Sequence, residues 1–129
     1  MAKILVVDDE PDILRVVVKI MESRGHTVST AKDGPAAIEK AGQVIPDVVI
    51  LDVNLPKMDG YEVCRTLKTG AATKHIPIVM MTAAYVTVED ADKGTDVGAD
   101  EYVIKPFLRE VLIHNVERLL PGGEDPPAR

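Results

Sequence analysis

Residues 48–52 read Val48-Val49-Ile50-Leu51-Asp52: four apolar side chains in succession, three of them β-branched, stopped by a carboxylate. A run this short and uniformly apolar lacks the alternation of a half-solvated strand. It reads as a strand buried on both faces of a parallel sheet. Ile4-Leu5-Val6-Val7, Ile78-Val79-Met80-Met81 and Tyr102-Val103-Ile104 repeat the pattern on either side. His26-Thr27-Val28-Ser29-Thr30-Ala31 is β-prone but mixed in polarity, as suits an edge strand.

Helical patterns fill the intervals. Pro11 sits well at a first helical turn, and Ile13, Val17, Ile20 and Met21 form a stripe that ends at Gly25. A shorter helix is predicted over 35–43, broken by Gly42 and Pro46. Residues 59–69 place Val63, Cys64 and Leu67 on one side, and 107–120 place Leu108, Val111, Leu112, Val116 and Leu119 together. The stretch 87–97 is the weakest: Thr87 and Asp90 resemble a capping box, but Gly94 interrupts it. Five strands alternating with five helices predict a doubly wound α/β fold with right-handed crossovers and helices on both faces. With the second strand at an edge, the five-stranded parallel sheet takes the flavodoxin-like order 2-1-3-4-5.

At 129 residues the chain suits one domain, expected to span 1–120, with 121–129 (Pro121-Gly122-Gly123-Glu124-Asp125-Pro126-Pro127 onward) as a flexible tail or the start of a linker. Fifteen Lys+Arg against 21 Asp+Glu give a net charge of −6, which disfavours direct nucleic-acid binding through phosphates. Five of those six charges fall in Glu89–Glu101, where six acids face Lys93 alone. That segment is a solvated acidic face or a surface for a basic partner. No run approaches the ~18 apolar residues of a membrane span. No signal peptide is expected, and the single Cys64 suits a cytoplasmic protein.

The residues that end the strands are the informative part. The first ends in Asp8-Asp9-Glu10, the third in Asp52, the fourth in Thr82 and the fifth in Lys105-Pro106. In this topology those positions converge at the carboxyl edge, beside the switch point where ligands usually bind. Three carboxylates confined together need a cation or a shared proton. Lys105 offers one positive charge, and an all-oxygen, half-open site favours Mg²⁺, often completed by phosphate oxygens. A carboxylate beside Mg²⁺, a hydroxyl and an ammonium is equipped to accept a phosphoryl group, with Asp52 as nucleophile.

At these residues the sequence resembles the receiver domain of two-component response regulators, the chemotaxis-regulator-like fold. The resemblance rests on Val6-Val7-Asp8-Asp9, on the block from Asp52 to Gly60 (Asp52-Val53-Asn54-Leu55-Pro56-Lys57-Met58-Asp59-Gly60), on Met81-Thr82-Ala83, and on the block from Gly98 to Phe107. It implies a phospho-acceptor switch, not an enzyme with an external substrate. Asp52 would take a phosphoryl group from a phosphohistidine on a sensor histidine kinase or histidine phosphotransfer protein. Asp9, Asp52 and the Asn54 backbone carbonyl would ligate Mg²⁺, with Asp8 acting through water. Thr82 and Lys105 would contact phosphoryl oxygens, and Tyr102 would be the aromatic that turns inward as Thr82 shifts. That change would remodel the face of the fourth helix (87–97), fifth strand and fifth helix (107–120), for an output partner or a homodimer. Asn54, Ala83 and Ala84 would tune the lifetime of the phosphorylated state.

Other readings fit less well. A haloacid-dehalogenase-like phosphatase needs a second Asp two residues after its nucleophile, where Asn54 stands, and usually a cap insertion. A flavin carrier would set a phosphate against carboxylates, and no Gly-rich phosphate loop comes after the first strand. A pseudo-receiver acting only as an interaction module would not need Asp8, Asp9, Asp52, Thr82 and Lys105 together. His26, His75 and His114 read as solvated or locally bonded, Cys64 as a packed thiol, and Lys57 as a loop charge.

Overall fold

The computed structural model describes residues 2–82 and 98–120. Strands β1 (Lys3–Val7), β2 (Thr27–Ala31), β3 (Val48–Asp52), β4 (Ile78–Thr82) and β5 (Glu101–Ile104) form one parallel sheet in the order β2-β1-β3-β4-β5. The helices are α1 (Pro11–Ser23), α2 (Gly34–Val44), α3 (Gly60–Thr69) and α4 (Arg109–Glu117), the last lying within the 107–120 pattern. The 87–97 pattern and most of the acidic stretch fall outside the described residues, as do Ala83 and Ala84.

The side-chain alternation of the strands divides the core in two. Leu5, Val7, Val49, Leu51 and Met80 face α2 and α3, where they meet Ala37, Ala41, Val63, Cys64 and Leu67. Ile4, Val6, Val48, Ile50, Val79, Met81 and Val103 face α1 and α4, against Val17, Met21, Leu112 and Val116. Apolar side chains on both faces are why the strands carry unbroken apolar runs. Cys64 is fully buried, and burial pushes its thiol up to about 11, so it packs as a hydrophobe.

Caps fix where the helices begin. Asp33 accepts a hydrogen bond from the Ala36 N–H (2.8 Å) to start α2, and Asp59 accepts one from the Glu62 N–H (2.9 Å) to start α3. Pro11 occupies the first turn of α1, as expected, and the chain leaves that helix through Gly25 at φ +86°.

Three expectations are corrected. Gly42 does not break α2, which continues to Val44 and ends where Ile45 turns left-handed. Tyr102-Val103-Ile104 is not buried on both faces: β5 is the second edge, Val103 alone is buried, and Ile104 is 49% exposed. Within the 107–120 stripe, Leu112 and Val116 reach the core, while Leu108 (70% exposed) and Val111 face outward. Among the described residues, no helix is long and apolar enough to cross a membrane.

Charge at the amino end of the sheet is internally matched. Lys68 donates to Asp100 (2.9 Å), which also accepts the Ile78 N–H (2.8 Å), and Arg118 pairs with Glu101. Two of the six acids in the acidic stretch therefore have partners inside the fold. Of the two readings for His26, solvated or hydrogen-bonded, the structure shows the second: its side chain is buried, its Nδ1 accepts the Ala2 N–H (3.2 Å) and its Nε2 meets Glu117 (3.1 Å).

Candidate functional site

The carboxyl edge gathers the polar residues that end the strands. Asp8 follows β1 and is held by its own backbone, whose N–H donates to the Ala31 carbonyl (3.2 Å). Its side chain is wholly buried, with Oδ1 accepting the Glu10 N–H (2.9 Å) and Oδ2 accepting from the Lys105 ammonium (3.3 Å). Asp52 closes β3, also buried, and its Oδ1 accepts the Asn54 N–H (3.2 Å) and lies 3.4 Å from Lys105 Nζ. Asp9 is exposed beside them. One oxygen from each of Asp8, Asp9 and Asp52 falls within 4.8 Å of the other two.

Lys105 is aimed at this cluster by the sheet. Its N–H donates to the Thr82 carbonyl (2.7 Å), extending the β4–β5 ladder one step beyond the Thr82–Ile104 pair. Thr82 itself is buried at the end of β4. Asp52 pairs in register with Met81, so Thr82 lies one residue past the level of Asp52 on the adjacent strand. Asp8, Asp9, Asp52, Thr82 and Lys105 thus share one sheet edge, as the sequence implied.

The electrostatics are unbalanced. Desolvation, and then the charge on Asp8, push the Asp52 carboxyl up to about 6, against the opposing pull of Lys105 and the Asn54 N–H. Burial works against the charge on Lys105, but Asp52 and Asp8 outweigh it and hold the ammonium above its ordinary value. One ammonium cannot offset three carboxylates. Oxygen donors at this spacing, half open to solvent through Asp9 and short of positive charge, can coordinate a hard divalent cation.

Tyr102 stands on β5 facing the α2–α3 core, half-buried, and its hydroxyl donates to the hydroxyl of Tyr61 (3.1 Å). Tyr61 was not singled out from sequence, although it comes directly after Asp59-Gly60. Gly60 was also missed as a site residue. A Cβ there would lie 2.3 Å from the Asp52 carbonyl oxygen and 2.8 Å from Val53 Cα, so only glycine lets α3 start against the backbone that carries Asp52.

Comparison with known proteins places the chain in a family. Residues 4–117 match the family described as response regulator receiver domain. The chain is 40% identical over 126 residues to the DNA-binding response regulator MtrA of Mycolicibacterium smegmatis, covering 98% of this chain and 54% of that protein. Chemotaxis protein CheY4 of Vibrio cholerae superposes with a TM-score of 0.87 at 37% identity, over 93% of this chain and 99% of that one. The signal receiver domain of a signal transduction histidine kinase from Syntrophus aciditrophicus gives 0.87 at 30% identity, over 100% and 97%. The chain spans about half the length of the curated relatives it matches first.

Proposed function

The chain belongs to the response regulator receiver domain family, and on that premise we propose that it is the phospho-acceptor switch of a two-component system, with Asp52 as the acceptor. Its fold and its Asp8, Asp9, Asp52 cluster are those typical of phosphoacceptor, Mg²⁺-binding regulators. Such a domain turns over its own aspartate rather than an external substrate. The observation that carries the assignment is a buried Asp52 crowded by Asp8 with Lys105 as their shared ammonium.

The chemistry arises from that crowding. A carboxylate oxygen of Asp52 attacks the phosphorus of a phosphohistidine; the P–N bond breaks and its electron pair goes to the imidazole. The donor is a sensor histidine kinase or a histidine phosphotransfer protein. Asp9, Asp52 and the Asn54 carbonyl would hold Mg²⁺. Asp8, which accepts from Glu10 and Lys105, would act through a water, as the family resemblance implies. Bound there, Mg²⁺ supplies positive charge against the transferring phosphoryl oxygens. Lys105 exchanges its contact with Asp52 for one with a phosphoryl oxygen, and the Thr82 hydroxyl donates to another. Asn54, together with Ala83 and Ala84 outside the described residues, tunes the lifetime of the acyl phosphate.

Signalling is a population shift. The phosphoryl group favours whichever arrangement of Thr82 and Tyr102 it contacts better, and moving from 1:99 to 99:1 takes roughly 5.5 kcal/mol. The output is a remodelled face beside β5 that a partner or a second copy reads. The receiver unit is taken as 1–120, in keeping with a family match that ends at 117, and 121–129 as tail or linker.

Incubation with acetyl phosphate and Mg²⁺, read by intact mass, tests the assignment. One added phosphoryl group is expected in the parent and none in Asp52→Asn. Addition that persists in the variant, or none in the parent with any donor and metal, refutes it. Beryllofluoride with Mg²⁺ is expected to change the Tyr102 aromatic resonances, and an unchanged Tyr102 would separate that residue from the switch.

A further inference from the structure

The loop after Asp52, residues 53–59, meets the carboxylate cluster through the Asn54 N–H, which donates to Asp52 Oδ1 (3.2 Å), and is held from two further sides. On one side the Gly60 N–H donates to the Val53 carbonyl (2.8 Å), closing the loop on itself against the Asp52 backbone. On the other side stands the first turn of α2. A Cβ on Gly34 would lie 2.7 Å from Met58 Cβ, 3.0 Å from the Met58 carbonyl oxygen and 3.0 Å from Val63 Cγ2. Gly34 is not left-handed, so what the position demands is space for the loop rather than a special φ.

A polar tie reinforces this contact. Lys57 sits in the loop at φ +70°, an unfavourable conformation for a residue with a Cβ, and its ammonium reaches Asp33 Oδ2 (3.3 Å). The other oxygen of Asp33 caps α2 through the Ala36 N–H (2.8 Å). One side chain therefore fixes the start of the helix and the loop that leans on it.

We propose that Asp33, Gly34 and Lys57 are positioning residues for the divalent cation, pinning the 53–59 loop onto α2 so that Asn54, whose N–H donates to Asp52 Oδ1 (3.2 Å), stays beside the carboxylates. This role rests on the proposed function of Asn54 as a ligand. A brace and a mere charge predict opposite signs. Lys57 is a cation, so if it acted only through its field, removing it would tighten Mg²⁺ binding. If it acts by holding the loop, removing it weakens binding despite the lost repulsion.

Isothermal calorimetry of Mg²⁺ binding at pH 8 and fixed ionic strength separates the two. Lys57→Met, at an exposed side chain, is expected to weaken binding several-fold, with Lys57→Arg restoring the parent value. Gly34→Ala is expected to weaken it about tenfold, the low end for supporting residues around a metal, with the fold checked by circular dichroism. If the parent binds Mg²⁺ and Lys57→Met binds it equally or more tightly, the brace is overturned while the site stands. If the parent binds no more tightly than Asp9→Asn, the site reading falls and the brace with it.

Discussion

At the amino end of the sheet Glu117 meets Arg24 through two hydrogen bonds (2.9 and 2.8 Å) and His26 through a third contact (3.1 Å), whereas at the carboxyl end Asp8 and Asp52 share one ammonium, Lys105, at 3.3 and 3.4 Å. The two acids shift in opposite directions. The hydrogen bond from Arg24 holds the Glu117 carboxyl below its usual range despite some desolvation, while burial and Asp8 raise Asp52 to about 6. One end of the sheet is arranged so that ionisation stabilises the fold. The other holds a carboxylate whose ionisation costs the fold free energy, which a cation can offset. The carboxyl-edge cluster is thus built at the expense of stability, while Arg24–Glu117 ties α4 to the α1–β2 turn.

Removing the shared cation should produce the largest effect. Lys105→Met leaves two buried carboxylates facing each other and is expected to destabilise the metal-free protein by about 3 kcal/mol at pH 8. Urea unfolding should show the loss shrink as pH falls toward 6, because without the ammonium the Asp52 carboxyl takes up its proton above the parent's value of about 6. A neutral Lys105→Met would break the contrast between the two ends.

Asp52→Asn should act in the other direction. The folded carboxyl binds its proton near pH 6 and the unfolded one near 3.8, so the parent loses stability as pH rises through that window. The variant escapes this and is expected to be more stable by about 2–3 kcal/mol at pH 7 without metal, with no advantage below pH ~4. Glu117→Gln supplies the mirror image. Its folded pKa lies below 4.5, so its stabilisation is present above that value and fades as pH falls through the folded pKa. Because the pair is partly solvated, the expected loss at pH 7 is about 1 kcal/mol. Leu108→Ser, at the carboxyl end but 70% exposed, should stay within about 0.5 kcal/mol, separating charge from location as the cause.

Much of this contrast was legible in the sequence on one side only. Apolar runs stopped by Asp8, Asp52, Thr82 and Lys105 reveal the carboxyl edge because a parallel sheet aligns its strand ends whatever the details of packing. The amino-end cluster left no such trace, since His26 and Glu117 meet across 91 positions. The close approaches at Gly34 and Gly60 were equally hidden: a glycine in a sequence does not say whether it serves a turn or a tight contact. Leu108 and Val111 fit a helical period, but periodicity cannot tell where the neighbouring element stops covering the stripe. In the same way Gly42, tolerated at a modest cost inside α2, looked like a terminator.

Chemical trapping of the acyl phosphate tests the central claim most directly. After reaction with acetyl phosphate and Mg²⁺, borohydride reduces a phosphorylated aspartate to homoserine, which peptide mass spectrometry locates. Homoserine is expected at position 52 in the parent, with aspartate retained at 8 and 9. Homoserine at position 8 or 9, or its absence from 52 in protein whose intact mass shows phosphorylation, would contradict Asp52 as the acceptor.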